Sequence, residues 1–323
     1  MQSWQSKTFS KAIWLSRRRK KFLSEEAMSQ FIEKCKTRKP YTLDAAFMKK
    51  HSIAQFTSDK MDVFVLNQHS IHSKTIVYFH GGAYISELTG FHWRYLLKLA
   101  KNTGFKIFVP VYPKLPHNNY VKCYEQLDYF YDKTLSKYNP LIFMGDSAGG
   151  GLALAFAQKL QAEGKRGPIH NILFSPWIDM TGTHEGYTEL EKIDPMIGLR
   201  GAGILAKLWY APGDYKNYLV SPIYGDFSNL CETTFIVGTD ELILLDGRRF
   251  KEMAQEINHK LNYYEFEHMH HVFPLFPIPE ANEVWDIVLP ILTGNRLEGI
   301  KRRPLRKKNP YRSYTKKRES HNL

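Results

Sequence analysis

The sequence predicts an α/β fold, a mostly parallel sheet covered by helices on both faces, on three observations. From residue 75 onward, short apolar runs rich in β-branched and aromatic residues alternate with stretches of helical periodicity, the pattern of a sheet built by crossover connections. A Gly-x-Ser-x-Gly pentad, Gly145-Asp146-Ser147-Ala148-Gly149, stands between one such run and a helix. An aspartate, Asp240, and a histidine pair, His270 and His271, follow the ends of later runs in chain order.

Strands are predicted at 75–79, 106–112, 141–144, 171–174 and 234–237, with 261–266 a further candidate, because each is a short β-rich apolar run between helical or turn segments. Helices are predicted at 120–138 and 151–163, the second repeating Leu152, Ala155, Phe156 and Leu160 at helical spacing. Residues 1–50 are polar and basic, with Phe22, Met28, Phe31, Ile32 and Cys35 spaced for one amphipathic face, and read as a peripheral helical cap. Ile204, Leu205, Leu208 and Trp209 mark another helical piece inserted between strand signals, which makes 193–213 a second contribution to the cap. The expected organisation is a cap segment over 1–50, one large domain over 51–300, and a basic tail over 301–323.

Composition excludes several classes. Of 323 residues 43% are hydrophobic and 14% aromatic, enough for a sizeable core and too much for a disordered chain. The net charge of +13 is concentrated: residues 301–323 hold ten basic residues and one acid, so +9 sits there and +4 on the preceding 300 residues. The body is therefore not a nucleic-acid platform, and any contact with an anionic surface belongs to the tail. Three scattered cysteines, Cys35, Cys123 and Cys231, match neither a disulfide framework nor a zinc spacing. No stretch approaches 18 uninterrupted apolar residues and no signal-peptide core precedes Arg17, so a cytoplasmic protein is expected. Oligomeric state is not encoded in any of these features.

A serine nucleophile needs its oxygen exposed on a sharp strand-to-helix turn, and the glycines around Ser147 leave room for one. The helix N-terminus behind it favours developing negative charge. Upstream, His80-Gly81-Gly82-Ala83-Tyr84 follows the strand at 75–79, where the amides of Gly82, Ala83 and, from the pentad, Ala148 would face an oxyanion. The nucleophile needs a base and the base an orienting carboxylate; Asp240 at the end of 234–237 is the expected carboxylate, with Asp179 and Asp246 as rivals more suited to capping backbone. The residues alone leave His270 and His271 open as the base. No metal set is expected, since no carboxylate or cysteine joins His268, His270 and His271 at ligand spacing, and no cofactor is required.

Over about residues 70–293 this set of motifs resembles the hormone-sensitive-lipase branch of the α/β-hydrolase family, bacterial acetyl-esterase-like members especially. The resemblance rests on His80-Gly81-Gly82-Ala83, Gly145-Asp146-Ser147-Ala148-Gly149-Gly150, Ser175-Pro176-Trp177-Ile178-Asp179, Asp194-Pro195-Met196, Gly238-Thr239-Asp240 and His271-Val272-Phe273. It implies an eight-stranded, mostly parallel sheet with a helical cap, and gives His271 the role of base and Asp240 that of its partner. Two departures stand out. Ala83 replaces a third glycine, which preserves its amide as a donor if the local φ is negative. Tyr112-Pro113-Lys114-Leu115-Pro116-His117 lacks the family's glutamate, which puts a structural hydrogen bond in question.

The function expected is a serine carboxylesterase acting on small, short-chain acyl esters, with Tyr84 and Trp209 as candidate walls of an apolar pocket. An amide or other acyl hydrolase would use the same triad. The family also includes plant hormone receptors that keep the fold without the histidine, so a small-ligand-binding protein is the alternative from another class.

Overall fold

The structure, a computed structural model, describes residues 2–294. The basic tail, and the contact with anionic surfaces expected of it, lie outside the described residues.

Eight strands form one sheet: β1 (Ala54–Ser58), β2 (Met61–Leu66), β3 (Thr75–Phe79), β4 (Lys106–Pro110), β5 (Leu141–Asp146), β6 (His170–Phe174), β7 (Glu232–Gly238) and β8 (Leu261–Phe266). Their spatial order is β1-β2-β4-β3-β5-β6-β7-β8. All six runs anticipated from sequence coincide with strands of this sheet, the one at 106–112 ending two residues early at Pro110. The pairs β1–β2 and β2–β4 are antiparallel, and the five remaining pairs are parallel. The sheet thus begins some twenty residues before the first predicted strand. Its opening hairpin turns at Asp59, an aspartate in the left-handed region (φ 54°) where a glycine would have been the clearer signal.

Eleven α-helices accompany the sheet among the described residues: α1 (Trp4–Leu15), α2 (Arg17–Leu23), α3 (Glu25–Lys36), α4 (Ala45–Lys50), α5 (Gly90–Thr103), α6 (Tyr120–Lys133), α7 (Ser147–Ala162), α8 (Tyr187–Ile193), α9 (Leu199–Tyr210), α10 (Leu244–Glu256) and α11 (Pro279–Thr293). Alternation along the strands divides the core in two. Val77, Phe79, Phe143 and Phe235 face α6, α7 and α10, whereas Ile76, Tyr78, Ile142, Met144 and Ile236 face α5 and α11. The helix predicted at 151–163 starts four residues earlier, so Ser147 is its first residue rather than part of a preceding loop. Between β6 and β7 the chain carries α8 as well as α9, one helix more than the insertion predicted at 193–213. Helix α9 packs against α2 and α3, and α1 is tied to α11 where the Ser3 amide donates to Glu280 Oε1 at 2.6 Å and the Ser6 hydroxyl also reaches this carboxylate. No helix among the described residues is long and apolar enough to cross a membrane.

The strand order reverses direction at β3: β4 lies on one side of it and β5 on the other. A parallel sheet opens a crevice at such a reversal, beyond the carboxyl ends of its strands. The two turns that leave β3 and β5 there are those singled out by sequence.

The ring of Phe156 on α7 is fully buried, stacks on Phe143 at 5.7 Å between centroids and meets Phe79 edge-on at 6.2 Å. Phe156→Ala should lower unfolding free energy by about 3 to 5 kcal/mol. The half-exposed Tyr129 on neighbouring α6 should cost within about 0.5 kcal/mol when truncated. Urea denaturation midpoints of the two variants check both values.

Candidate active site

Strand β5 runs without a loop into α7, and the corner residue, Ser147, takes φ 51°. This left-handed turn, costly for a serine, projects its side chain from the sheet edge. Two contacts hold the corner. A Cβ at Gly149 would collide with the carbonyl oxygens of Phe79 and His80, so glycine is what lets α7 close against the end of β3. From the other side, the Trp177 amide donates to the Ser147 carbonyl at 2.9 Å.

His271 lies in the turn after β8. Its Nε2 is 2.8 Å from Ser147 Oγ and its Nδ1 is 2.6 Å from Glu241 Oε2. With Nδ1–H donating to the carboxylate, Nε2 is left to accept the serine proton. Burial works to lower the His271 pKa, but the hydrogen bond and charge of Glu241, reinforced by Asp194 and Asp146, outweigh it and raise the value above the ordinary 6.5. His270 is turned away: its Nδ1 faces the His271 carbonyl, Phe9 stacks on its ring at 5.9 Å, and burial presses its pKa down to about 4.

The carboxylate is therefore Glu241, and the expectation for Asp240 is corrected. Asp240 Oδ1 faces Nδ1 of the exposed His268 at 3.7 Å, outside the serine–histidine line. The turn explains the exchange. Gly238 ends β7 and its amide donates to Glu241 Oε1 at 2.6 Å, folding the Glu241 side chain back beneath the strand. The Asp240 amide donates to Met269 O at 3.0 Å, which turns its own side chain outward. Counting three residues from the strand-terminal glycine gives Glu241, a signal already present in Gly238-Thr239-Asp240-Glu241.

Sequence reasoning also missed what Ser175 does. At φ 44° after β6, its hydroxyl donates to Glu241 Oε1 at 2.8 Å and accepts from the Val272 amide at 3.0 Å, joining the acid to the turn that carries the base. Asp194 is likewise structural. It accepts from the amides of Met196, Ile197 and Leu242 at 2.7 to 2.9 Å, and burial raises its pKa to about 6. Of the rival carboxylates, Asp179 caps the Thr181 amide and pairs with Arg249, while Asp246 pairs with the Tyr187 hydroxyl.

The turn after β3 faces the serine. Buried Asp146 pins it by accepting from the Gly81 amide at 3.0 Å and from Tyr78 Oη at 2.8 Å. Tyr112 Oη donates to the His80 carbonyl at 2.6 Å and its ring stacks on the His80 imidazole at 4.7 Å, so the Tyr112 segment holds the turn without a glutamate. Gly82 takes φ 128°. Ala83 lies at φ 52°, so the negative φ set as the condition for its donor role is not met. Alanine here occupies a conformation suited to glycine, at a cost on the order of 1 kcal/mol, but φ only sets the direction of its N–H and does not remove it as a donor. Ala148, in the first turn of α7, has a backbone N–H with no intrahelical acceptor.

Over these groups lies a cavity of about 400 Å³, lined by Ser147, His271, Gly82 and Ala83, with Phe22 of α2 and Leu199 of α9 among its apolar walls. Tyr84 and Trp209 are not among the lining residues. Their rings stack on each other at 4.0 Å in the core behind the turn, where burial of both leaves no face for a ligand. Among the described residues, no group of three His, Cys, Asp or Glu side chains is arranged to hold a metal ion.

Residues 76–275 match the family defined by the alpha/beta hydrolase fold. An esterase of Acinetobacter venetianus is 30% identical over 220 residues, spanning 65% of this chain and 72% of that protein. An acetyl-hydrolase of Streptomyces hygroscopicus is 25% identical over 233 residues, 71% of this chain and 78% of its own. The crystal structure of an esterase from the bacterial hormone-sensitive lipase family superposes with a TM-score of 0.74 at 22% identity, covering 91% of this chain and 99% of that one.

The two neighbouring carboxylates are separable by the titration of His271. Its imidazole should titrate above 6.5 in histidine-labelled NMR spectra. Glu241→Gln should move that titration down, because burial is then opposed only by the weaker pull of Asp194 and Asp146, and Asp240→Asn should leave it in place.

Proposed function

Because the chain belongs to the α/β-hydrolase-fold family and is a carboxylic ester hydrolase, we propose that Ser147, His271 and Glu241 form its catalytic triad and that its substrates are small esters of short acyl chains. The observation that carries the reading is the hydrogen-bonded line from Ser147 Oγ through His271 to buried Glu241, at 2.8 and 2.6 Å. Ser147 Oγ attacks the ester carbonyl carbon while its proton passes to His271 Nε2. The carbonyl oxygen becomes an oxyanion facing the amides of Gly82, Ala83 and Ala148, where each preorganised donor contributes about 2.7 to 4 kcal/mol to lowering the barrier. The imidazolium, held by Glu241, returns the proton to the leaving alkoxide, and an acyl group stays on Ser147. Water, activated by the same imidazole, then attacks the acyl carbon and releases the acid.

A short acyl chain suits a cavity of about 400 Å³, near the lower end for small-molecule sites. An amide hydrolase would use the same geometry, and comparison of matched ester and anilide substrates separates the two.

Hydrolysis of 4-nitrophenyl acetate and butyrate should vanish in Ser147→Ala and His271→Ala variants that retain the fold. Glu241→Gln should lower kcat about 10³- to 10⁴-fold, and Asp240→Asn should stay within about threefold of the parent. A folded parent protein without turnover on any acetyl-to-octanoyl ester would overturn the reading.

The base must be neutral to accept a proton, and its pKa is raised, so kcat/KM should increase with pH through an apparent pKa above 6.5. The residual activity of Glu241→Gln should show this acidic limb at lower pH. Initial rates between pH 5 and 9 test the displacement.

A further inference from the structure

A second cavity, of about 290 Å³, lies between α5, α11 and the turn that joins His271 to α11. Its wall combines two kinds of chemistry. Arg94 and Lys98, four residues apart on α5, supply two positive charges, and no acidic residue lines the cavity. The nearby Glu280 is engaged by Ser3 and Ser6. Arg94 Nη2 donates to the Leu275 carbonyl at 2.8 Å, one donor of the five a guanidinium carries. Lys98 Nζ donates to Asn282 Oδ1 at 3.1 Å and lies 4.7 Å from the centroid of the Trp285 ring. The apolar part comes from Trp285, Phe276 and flanking prolines.

Between the two lies Tyr95. It is 4% exposed and lines the cavity, yet its hydroxyl has no hydrogen-bond partner. The oxygen has almost no accessible surface and lies on the Asp146 side of the core, so Tyr95 offers the cavity its ring and not its hydroxyl. Burial and the adjacent Arg94 charge press the Lys98 ammonium below its ordinary pKa, against the pull of Asp286, a repulsion an anion would relieve.

We propose that this cavity is a second binding site, for a small organic carboxylate with an apolar body. The carboxylate is held by Arg94 and Lys98, and the body lies on Trp285 and Phe276. The assignment does not depend on the reaction at Ser147. Phe276 also lines the reactive cavity, so the experiment must tell the two cavities apart.

The test titrates the ¹⁵N-labelled protein with hexanoate while following the indole N–H of Trp285, assigned with Trp285→Phe. A saturable shift is expected. Lys98→Gln and Arg94→Gln should each weaken binding about tenfold, with hexanamide at least tenfold weaker than hexanoate. Lys98 is only partly buried, so its variant keeps the test decisive should loss of the Arg94–Leu275 bond disturb the fold. Absence of saturation overturns the proposal. So does hexanoate binding that ignores Lys98→Gln, which would seat the ligand over Ser147. Inorganic phosphate binding as tightly as hexanoate would reduce the cavity to a bare anion site and equally overturn the assignment.

Discussion

The arrangement depends on keeping one charge out of water. Glu241 is fully buried, and a lone carboxylate there would carry a desolvation cost of several kcal/mol. Three donors offset it: the Gly238 amide, the Ser175 hydroxyl and His271 Nδ1–H. They come from the ends of β7, β6 and β8, so satisfying the carboxylate fixes three strand ends relative to one another. The link is reciprocal, because the same Ser175 oxygen accepts from the Val272 amide. The imidazole is thereby oriented by the network that makes the buried acid tolerable.

Strain gathers around that network. Ala83, Tyr84, Ser147, Ser175 and Val272 all have positive φ, and all lie in turns beyond the carboxyl ends of β3, β5, β6 and β8. Each costs on the order of 1 to 3 kcal/mol and persists only where its surroundings leave no alternative. Here the two cores on either side of the sheet supply those surroundings, through strands whose residues are buried nearly without exception from β3 to β7. The sheet acts as a rigid base on which unfavourable corners can be held.

The fold was legible because buried parallel strands leave apolar runs too short for helices, as at 75–79 and 141–144. Ser147 was legible because a nucleophile needs a particular residue on a sharp turn, whereas the residues alone left His270 and His271 open and only the family resemblance chose between them. The opening hairpin was harder to see, since β1 is half exposed and its turn uses Asp59 in place of glycine. The choice between Asp240 and Glu241 depends on how the chain rotates over three residues beyond a strand; the spacing from Gly238 carries that information, but only once the end of β7 is known. Tyr84 and Trp209 show the same limit from the other side. Aromatic rings read alike whether they line a cavity or stack against each other, and only packing distinguishes the two.

The bond between Ser3 and Glu280 spans 277 positions, and Gln2 reaches the His268 carbonyl across 266. Loops of that length close slowly, because the entropy of bringing their ends together is lost before any contact is gained. Phe22, carried by the helix after α1, walls the reactive cavity, and His271 belongs to the part of the chain made late. On a ribosome α1 and α2 emerge before β8 and α11 and must therefore wait for them before they can settle. Until then their apolar faces are open to chaperones and to other nascent chains.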